Sequence, residues 1–373
     1  MHRRQQKADK NCYNRITRRY LDFAFLQLAL SYKTDAGFGI CAKSCLGPSP
    51  IAFLLSLRKT LLVQTVLTTS AAEASEFVKD GGIVAFPTET VYGLAASIFD
   101  EAAIRRVFEA KRRPCDNPLI AHISSVEQIQ KLATESTEIS EILIKKFFPG
   151  PLTVVLKKSE SVPEIATAGL DTIGIRMPRN ELANQFIAAS GVPLVAPSAN
   201  VSGRPSPTNW QAVFEDLNGR IDCILQGDPT EIGLESTVVD CTVDPPRLLR
   251  TGAVSIEQLQ EVVPTIEIGG DSGSSAKSPG LRHRHYSPSA KVIVVGGGDK
   301  MSNIENSGYI GLSDPNGTPR MKKICANVDD YARSVFEFFR ECDRAGIKTI
   351  YCEEIETTGI GAALMDRVSR AAK

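Results

Sequence analysis

Three short stretches of this 373-residue chain carry residue types suited to holding anions and moving acyl or phosphoryl groups. The first is Phe86-Pro87-Thr88-Glu89-Thr90-Val91-Tyr92-Gly93-Leu94. It runs an apolar strand into a turn bearing hydroxyls, one carboxylate and a glycine. Side chains at the carboxyl end of a strand face the crevice where α/β folds bind ligands, although an ordinary hairpin has the same composition. The second is Lys111-Arg112-Arg113-Pro114-Cys115-Asp116-Asn117-Pro118-Leu119, which with Arg105 and Arg106 places five cations in nine residues. Lys111 and Arg113, two positions apart and followed by a rigid proline, present fixed charge to a polyanion such as a triphosphate. A charge run is more commonly a solvated face, but the two X-Pro steps argue against a freely solvated helix here. The third is Pro197-Ser198-Ala199-Asn200-Val201-Ser202-Gly203-Arg204-Pro205-Ser206-Pro207-Thr208, directly after an apolar strand. Small hydroxyl residues in that position let backbone N–H groups approach a phosphate. The Walker pattern GxxxxGK[ST] occurs nowhere, so a nucleotide site would need another design.

Weaker candidates are Ile175-Arg176-Met177-Pro178, Glu235-Ser236-Thr237, Leu249-Arg250-Thr251-Gly252 and Arg282-His283-Arg284-His285-Tyr286-Ser287-Pro288. His283 and His285 have no cysteine and few acids nearby, which argues against a structural zinc site. Gly296-Gly297-Gly298 lacks the GxGxxG spacing of a dinucleotide fingerprint.

The elements that must position these residues become legible from Val63 onward. Apolar periodicity and caps predict helices over 71–80, 101–111, 125–131, 140–148, 181–190, 206–217 and 255–262. Strands are expected over 83–86, 119–123, 152–156, 172–176, 192–196, 223–225, 236–243 and 246–250. Helices and strands mix irregularly, giving an α/β or α+β domain of about 200 residues rather than a strict βαβ repeat. Residues 268–278 read as a Gly/Ser-rich linker. Beyond it, strands over 291–295, 308–312 and 349–351, with helices over 328–345 and from 360, predict a small parallel α/β domain.

The charge balance narrows the class. Forty-three Lys and Arg meet 43 Asp and Glu, a net charge of zero. Residues 1–62 carry 11 Lys and Arg against three acids, an excess of eight that the remaining 311 residues cancel. The acidic remainder excludes a globally basic nucleic-acid binder, though not a local basic site. Residues 1–62 read as a transit peptide, as a poorly folded extension, or as the product of an over-extended translation start. Nine cysteines without CxxC pairs indicate reduced thiols in a reducing compartment. No apolar stretch approaches the roughly 20 residues of a membrane-spanning helix.

In this order, FPTETVYGL, KRRPCDNPLIAH, FPGPLTVVL, GIRMP, APSANVSGRPSPT, ESTVVD, LLRTGA and SPGLRHRHYSP resemble the threonylcarbamoyl-AMP synthase family, in its long form. The resemblance runs from about Val66 to Lys373. It implies an α/β fold: a YrdC-like twisted, mixed open sheet with helices over 63–266, a linker or lid over 267–290, and a small Rossmann-like parallel α/β accessory domain over 291–373. Residues 1–62 have no counterpart in it. The implied reaction joins L-threonine, bicarbonate and ATP into threonylcarbamoyl-AMP and pyrophosphate. A second enzyme, a tRNA threonylcarbamoyl transferase, then modifies the adenosine beside the tRNA anticodon. Such chemistry needs positioning and charge stabilisation, consistent with the lack of a nucleophilic triad.

Carried over by motif, Thr90, His122, Arg176, Ala196 (through its backbone) and Ser236 are expected at the threonine site. Lys111, Arg113, Asn117, Thr172, Ser198, Asn200, Ser206, Arg250 and Tyr286 are expected at the ATP site, with Lys111 and Arg113 as the catalytic cations. Tyr286 would belong to a lid that excludes water from a hydrolysable intermediate. Magnesium is expected with the ATP rather than in a protein cage. The implied location is cytoplasmic, away from membranes, with weak direct tRNA binding at most. Asn180 and Phe148 depart from the family, which often has His and Trp there. The competing readings are a non-catalytic module binding double-stranded RNA or tRNA through Arg105–Arg113, and a carbamoyl- or adenylyl-transferring enzyme with another amino acid.

Overall fold

The structure, a computed structural model, describes residues 64–269, 286–296 and 304–373. The N-terminal extension, most of the Gly/Ser-rich linker, Arg282 to His285 and two of the three glycines at 296–298 lie outside the described residues.

The first sheet contains β1 (Val66–Thr68), β2 (Val84–Phe86), β3 (Gly93–Ser97), β4 (Ile120–His122), β5 (Leu152–Lys157), β6 (Thr172–Arg176), β7 (Leu194–Val195), β8 (Cys223–Leu225), β9 (Thr237–Asp240), β10 (Arg247–Arg250) and β11 (Glu267–Ile268). Their order is β1-β8-β2-β3-β7-β4-β6-β5-β9-β10-β11, with parallel and antiparallel neighbours mixed. The helices of this part are α1 (Ala71–Lys79), α2 (Glu101–Lys111), α3 (Ile129–Leu132), α4 (Glu138–Phe147), α5 (Glu164–Thr167), α6 (Glu181–Ser190), α7 (Trp210–Leu217) and α8 (Ile256–Val262). The expected mixed α/β architecture is therefore what the chain adopts.

Several boundaries differ from the sequence reading for physical reasons. The composition of β3 does not signal a strand, because Gly and Ala are weak strand formers. Packing overrides that preference: a Cβ on Gly93 would stand 2.9 Å from the Phe86 ring, so only glycine fits between β2 and β7. The helix expected from Ser206 begins at Trp210. Pro207 keeps Ser206 out of the helical region, and Asn209 caps α7 by accepting from the Ala212 N–H. Residues 267 and 268, expected to open the linker, pair in parallel with β10.

Helix α2 sets the second motif. Asp100 accepts from the Ala103 N–H at its start. Its buried face comprises Ala103, Ile104, Val107, Phe108 and Ala110. Arg112 closes it in the left-handed region at φ 51°, with Arg113 N donating to Phe108 O at 2.9 Å. That reversal turns Arg113 inward and leaves Arg112 exposed.

The accessory domain is a four-stranded parallel sheet. Its strands are β12 (Lys291–Val295), β13 (Ser307–Gly311), β14 (Met321–Ile324) and β15 (Thr349–Glu353), in the order β12-β15-β13-β14. Helices α9 (Val328–Arg344) and α10 (Ile360–Ala372) cover it. Helix α9 buries Tyr331, Val335, Phe336, Phe338 and Phe339. The same apolar cluster takes in Leu234 and Tyr286. The turn before Leu234 lies against α9 so closely that a Cβ on Gly233 would meet Arg333 backbone at 2.5 Å. Among the described residues no helix is long and apolar enough to cross a membrane.

Candidate active site

A cavity of about 60 Å³ opens beside β4, β6 and β7. Strands β4 and β6 run parallel with His122 opposite Arg176, so both residues reach the same carboxyl edge. The turn between β2 and β3 forms another wall. There Thr88 Oγ1 donates to Val91 O at 2.7 Å and stands 2.8 Å from Thr90 Oγ1, fixing Thr90 over the cavity. The first motif is thus a hairpin and a cavity wall at once.

Eleven of the fourteen expected site residues line this cavity: Thr90, Arg113, His122, Arg176, Ala196, Ser198, Asn200, Ser206, Ser236, Arg250 and Tyr286. Lys111, Asn117 and Thr172 do not. Lys111 is 1% exposed, and its ammonium donates to the carbonyls of Ser198 and, at 2.6 Å, Asn200. Its observed contacts thus hold the loop that forms the cavity wall. Asn117 is buried, and its carbonyl lies 3.4 Å from Arg113 Nη2. Thr172 sits at the far end of β6, opposite Lys157.

Nor does the basic run act as one patch. Arg105 pairs with Glu101 at 3.4 Å on the surface, and Arg106 pairs with Asp222 at 2.7 Å. Only Arg113 of the five cations reaches the cavity. Residues 105–113 alternate between the surface and the interior because they lie on a helix and its C-terminal reversal.

Three buried guanidinium groups converge on the cavity from distant parts of the chain. Arg176 Nη1 donates to Thr90 Oγ1 at 2.7 Å, Nη2 to Glu89 Oε1 at 2.6 Å, and Nε to Gly150 O at 3.3 Å. Arg250 Nε donates to Ser236 O at 2.9 Å and Nη2 to Ser236 Oγ at 3.0 Å. Ser236 Oγ in turn stands 2.8 Å from Thr153 Oγ1. Arg113 is held least: Nη2 makes two long contacts, 3.4 and 3.3 Å, to Asn117 O and Pro118 O. Its buried Nε has no partner among the described residues, and neither has Asn200 Oδ1. Burial, with Arg250 nearby, pulls Arg113 down to about 10, and burial brings Arg250 to about 10 as well. Both remain cationic at neutral pH.

Two carboxylates sit among these cations. Burial alone would raise the Glu89 carboxyl, but Arg176 and the Arg179 N–H outweigh it and hold it below its ordinary range. Glu235 is likewise held low against its burial by Arg367 and Arg250. His122 is the opposite case. Burial and then Arg176 push it down to about 3, so its ring is neutral. Its Nδ1 lies 3.2 Å from Ile120 O.

Tyr286, the first described residue after the linker, closes one side. It adopts φ 66° and stacks on Phe336 with ring centroids 5.3 Å apart. The next residue ties this segment to the Ser/Pro loop, Ser287 N donating to Gly203 O at 2.8 Å. Glu235 and Arg204, which lie in candidate motifs but are not among the expected site residues, also line the cavity. The available signal is position: Glu235 and Ser236 directly precede β9, and Arg204 lies inside the Ser/Pro loop.

Among the described residues no three His, Cys, Asp or Glu side chains converge as a metal site. Glu89 and Glu235 are each bound to an arginine. These donors do not fit a protein-held magnesium ion.

Known proteins and family models match this chain over most of its length. Residues 76–252 match a family model described as "Telomere recombination", and residues 254–373 match "Threonylcarbamoyl-AMP synthase, C-terminal domain". The chain is 47% identical over 315 residues to threonylcarbamoyl-AMP synthase of Pyrococcus abyssi, covering 80% of this chain and 92% of that protein. It is 37% identical over 319 residues to the Bacillus subtilis protein of the same name, covering 81% and 92%. The crystal structure of P. abyssi Sua5 complexed with L-threonine superposes with a TM-score of 0.77 at 43% identity, covering 83% of this chain and 97% of that one. With both domains matched, in order and over most of their length, this chain belongs to the threonylcarbamoyl-AMP synthase family of enzymes, in its long, two-domain form.

Proposed function

We propose that this chain forms threonylcarbamoyl-AMP and pyrophosphate from L-threonine, bicarbonate and ATP, supplying a transferase that modifies adenosine beside the tRNA anticodon. The observation that carries this reading is the convergence of Arg113, Arg176 and Arg250 on one cavity, with the buried Nε of Arg113 unpartnered among the described residues. Such an excess of buried cationic donors calls for an anion of several charges.

The residues divide the work. Arg176, oriented by Glu89 and Thr90, receives the amino-acid carboxylate, while His122, Ala196 and Ser236 shape the rest of the threonine site. Neutral His122 adds no further positive charge beside Arg176. Threonine's amine, as the free base, adds to carbon dioxide formed by dehydration of bicarbonate; the proton the amine loses is the one that dehydration takes up, so carbamate and water result. A carbamate oxygen then attacks the α-phosphorus of ATP, and pyrophosphate leaves. Arg113 and Arg250 neutralise charge on the phosphates, and Ser198, Asn200 and Ser206 line their cradle. Lys111 shapes that cradle through the carbonyls of Ser198 and Asn200. Asn117 and Thr172 would reach ATP only where the nucleotide extends past the cavity. Magnesium would arrive on the triphosphate and offset its charge.

The cavity's 60 Å³ is well below the roughly 300–1,000 Å³ of small-molecule sites. ATP would therefore enter when part of the wall moves. The reaction itself would occur in the closed arrangement, where water is excluded.

The alternative of an RNA-binding module draws little support from the basic run, in which Arg105 and Arg106 are paired with acids and Lys111 and Arg113 are buried, leaving Arg112 as its exposed cation without an ion pair among the described residues. The test is pyrophosphate release from ATP that requires both threonine and bicarbonate. Release independent of threonine, or no release together with salt-sensitive RNA binding, would overturn the proposal.

A further inference from the structure

Among the described residues the accessory domain carries no catalytic constellation of its own, yet two of its arginines, each 1% exposed, bond to residues that form or adjoin the cavity wall. Arg340, on α9, donates to both carboxylate oxygens of Asp216 at 3.0 Å and to the carbonyl of Pro205 at 2.5 Å. Arg367, on α10, donates through Nε to Glu235 Oε2 at 3.0 Å and through Nη2 to Thr251 O at 2.9 Å. Its Nη1 meets Asp366 at 2.7 Å, and its guanidinium lies 5.5 Å from the centre of the Tyr286 ring. The other oxygen of Glu235 accepts from Ser206 Oγ at 2.5 Å. Ser206, Glu235 and Tyr286 all line the cavity.

We infer that Arg367 is a positioning residue of the nucleotide site, through which the accessory domain fixes Glu235, Ser206 and Tyr286 and cancels the carboxylate charge that would otherwise face the triphosphate. This inference rests on the cavity being the ATP site. The electrostatic case is direct. A phosphate-binding wall containing a buried carboxylate repels its ligand unless that charge is matched. Arg113 and Arg250 are needed for the ligand, so a further cation from outside the catalytic sheet has to match Glu235. The geometric case is equally specific. Three nitrogens of one planar guanidinium hold a carboxylate, a carbonyl and Asp366 while its face lies toward an aromatic ring, an arrangement an ammonium cannot reproduce. Arg340 holds the adjacent residue of the same loop, so positions 205 and 206 are gripped from α9 and α10 together.

The test uses the full chain and compares ATP and L-threonine affinities by calorimetry in Arg367→Met, Arg367→Lys and the double variant Arg367→Met/Glu235→Gln. Expected is a loss of ATP affinity of about tenfold or more in Arg367→Met, with threonine affinity within about twofold of wild type. The double variant should regain a substantial part of the ATP affinity, because no buried charge is left unmatched. Arg367→Lys should fall between wild type and Arg367→Met. If Arg367→Met does not fold, the other two variants carry the same comparison. Unchanged ATP affinity in the variants overturns the inference. So does an equal fall of both affinities that tracks thermal stability, since a purely structural contact would behave that way. Pyrophosphate release is scored separately: a wild-type chain that binds ATP without releasing pyrophosphate refutes the proposed reaction alone, whereas one that binds no ATP refutes both.

Discussion

Replacing Arg113 with methionine should make the protein more stable and, at the same time, unable to hold ATP well. The side chain is 9% exposed, its Nη2 contacts are long, and its Nε has no partner among the described residues. A buried polar group left unsatisfied costs about 1–3 kcal/mol. The same burial, with Arg250 nearby, lowers the guanidinium to about 10, well below its ordinary range. The sign follows from linkage. A cation whose folded value lies below its unfolded one weakens the fold throughout the range where it is protonated, and the penalty fades only as pH rises past 10 toward 12. Methionine fills similar space without charge, and replacing a poorly matched buried charge by an apolar residue commonly gains 1–4 kcal/mol. Arg113→Met should therefore gain about 1–3 kcal/mol at pH 7, read as a higher urea midpoint at unchanged m-value. Losing charge-assisted hydrogen bonds to phosphate, at about 1.5–3 kcal/mol each, should weaken ATP by roughly 10- to 100-fold or more. L-Threonine should bind as before. A less stable variant, or one with unchanged ATP affinity, would refute the reasoning, because it would mean that Arg113 is satisfied by the protein itself.

Three further expectations rest on separate contacts. Lys111→Met strips the carbonyls of Ser198 and Asn200 of their donor, so it should lower stability by about 2–5 kcal/mol in urea unfolding and weaken ATP more than threonine, opposite to Arg113→Met in its first effect and alike in its second. Glu89→Gln leaves Arg176 without its counter-ion and should cost about 3–5 kcal/mol near pH 7. The wild-type contribution of Glu89, whose carboxyl is held low, is present above the ordinary carboxylate value near 4.5 and lost as pH falls through the lowered one, so the gap between the two proteins should narrow in acid. His122, already neutral from about 3 upward, should place no inflection near pH 6.5 in threonine affinity, and a calorimetric titration that finds one abolished by His122→Gln would contradict its burial.

Local motifs made most of the site readable. Thr90, Ser198, Asn200 and Ser236 sit at strand ends or in tight turns, where residue type and spacing are enough to suggest a ligand wall. Residues whose role depends on distant packing were not readable in the same way. Lys111 and Arg113 look alike in sequence, but the left-handed residue between them sends one to backbone carbonyls and the other to the cavity. Strand β3 escaped notice because its Gly-Leu-Ala-Ala-Ser composition is chosen for close packing against β2 and β7 rather than for strand propensity. Thr172 was placed at the site by motif alone, and its register opposite Lys157 puts it at the far end of the strand that carries Arg176.

Charge density along the chain does not locate the cavity, whereas charge in space does. The densest basic run contributes one guanidinium to the cavity, whereas Arg176 and Arg250 come from stretches with no excess of positive charge. Glu89 matches Arg176, and Glu235 is matched by Arg367, which leaves the cavity as a whole cationic. Glu235 in turn requires Arg367, which lies 132 residues away in another domain. A site balanced in this way cannot be moved to the catalytic sheet alone without also supplying the cation that the accessory domain provides. That dependence gives the two-domain chain a physical reason to keep its second domain against the first.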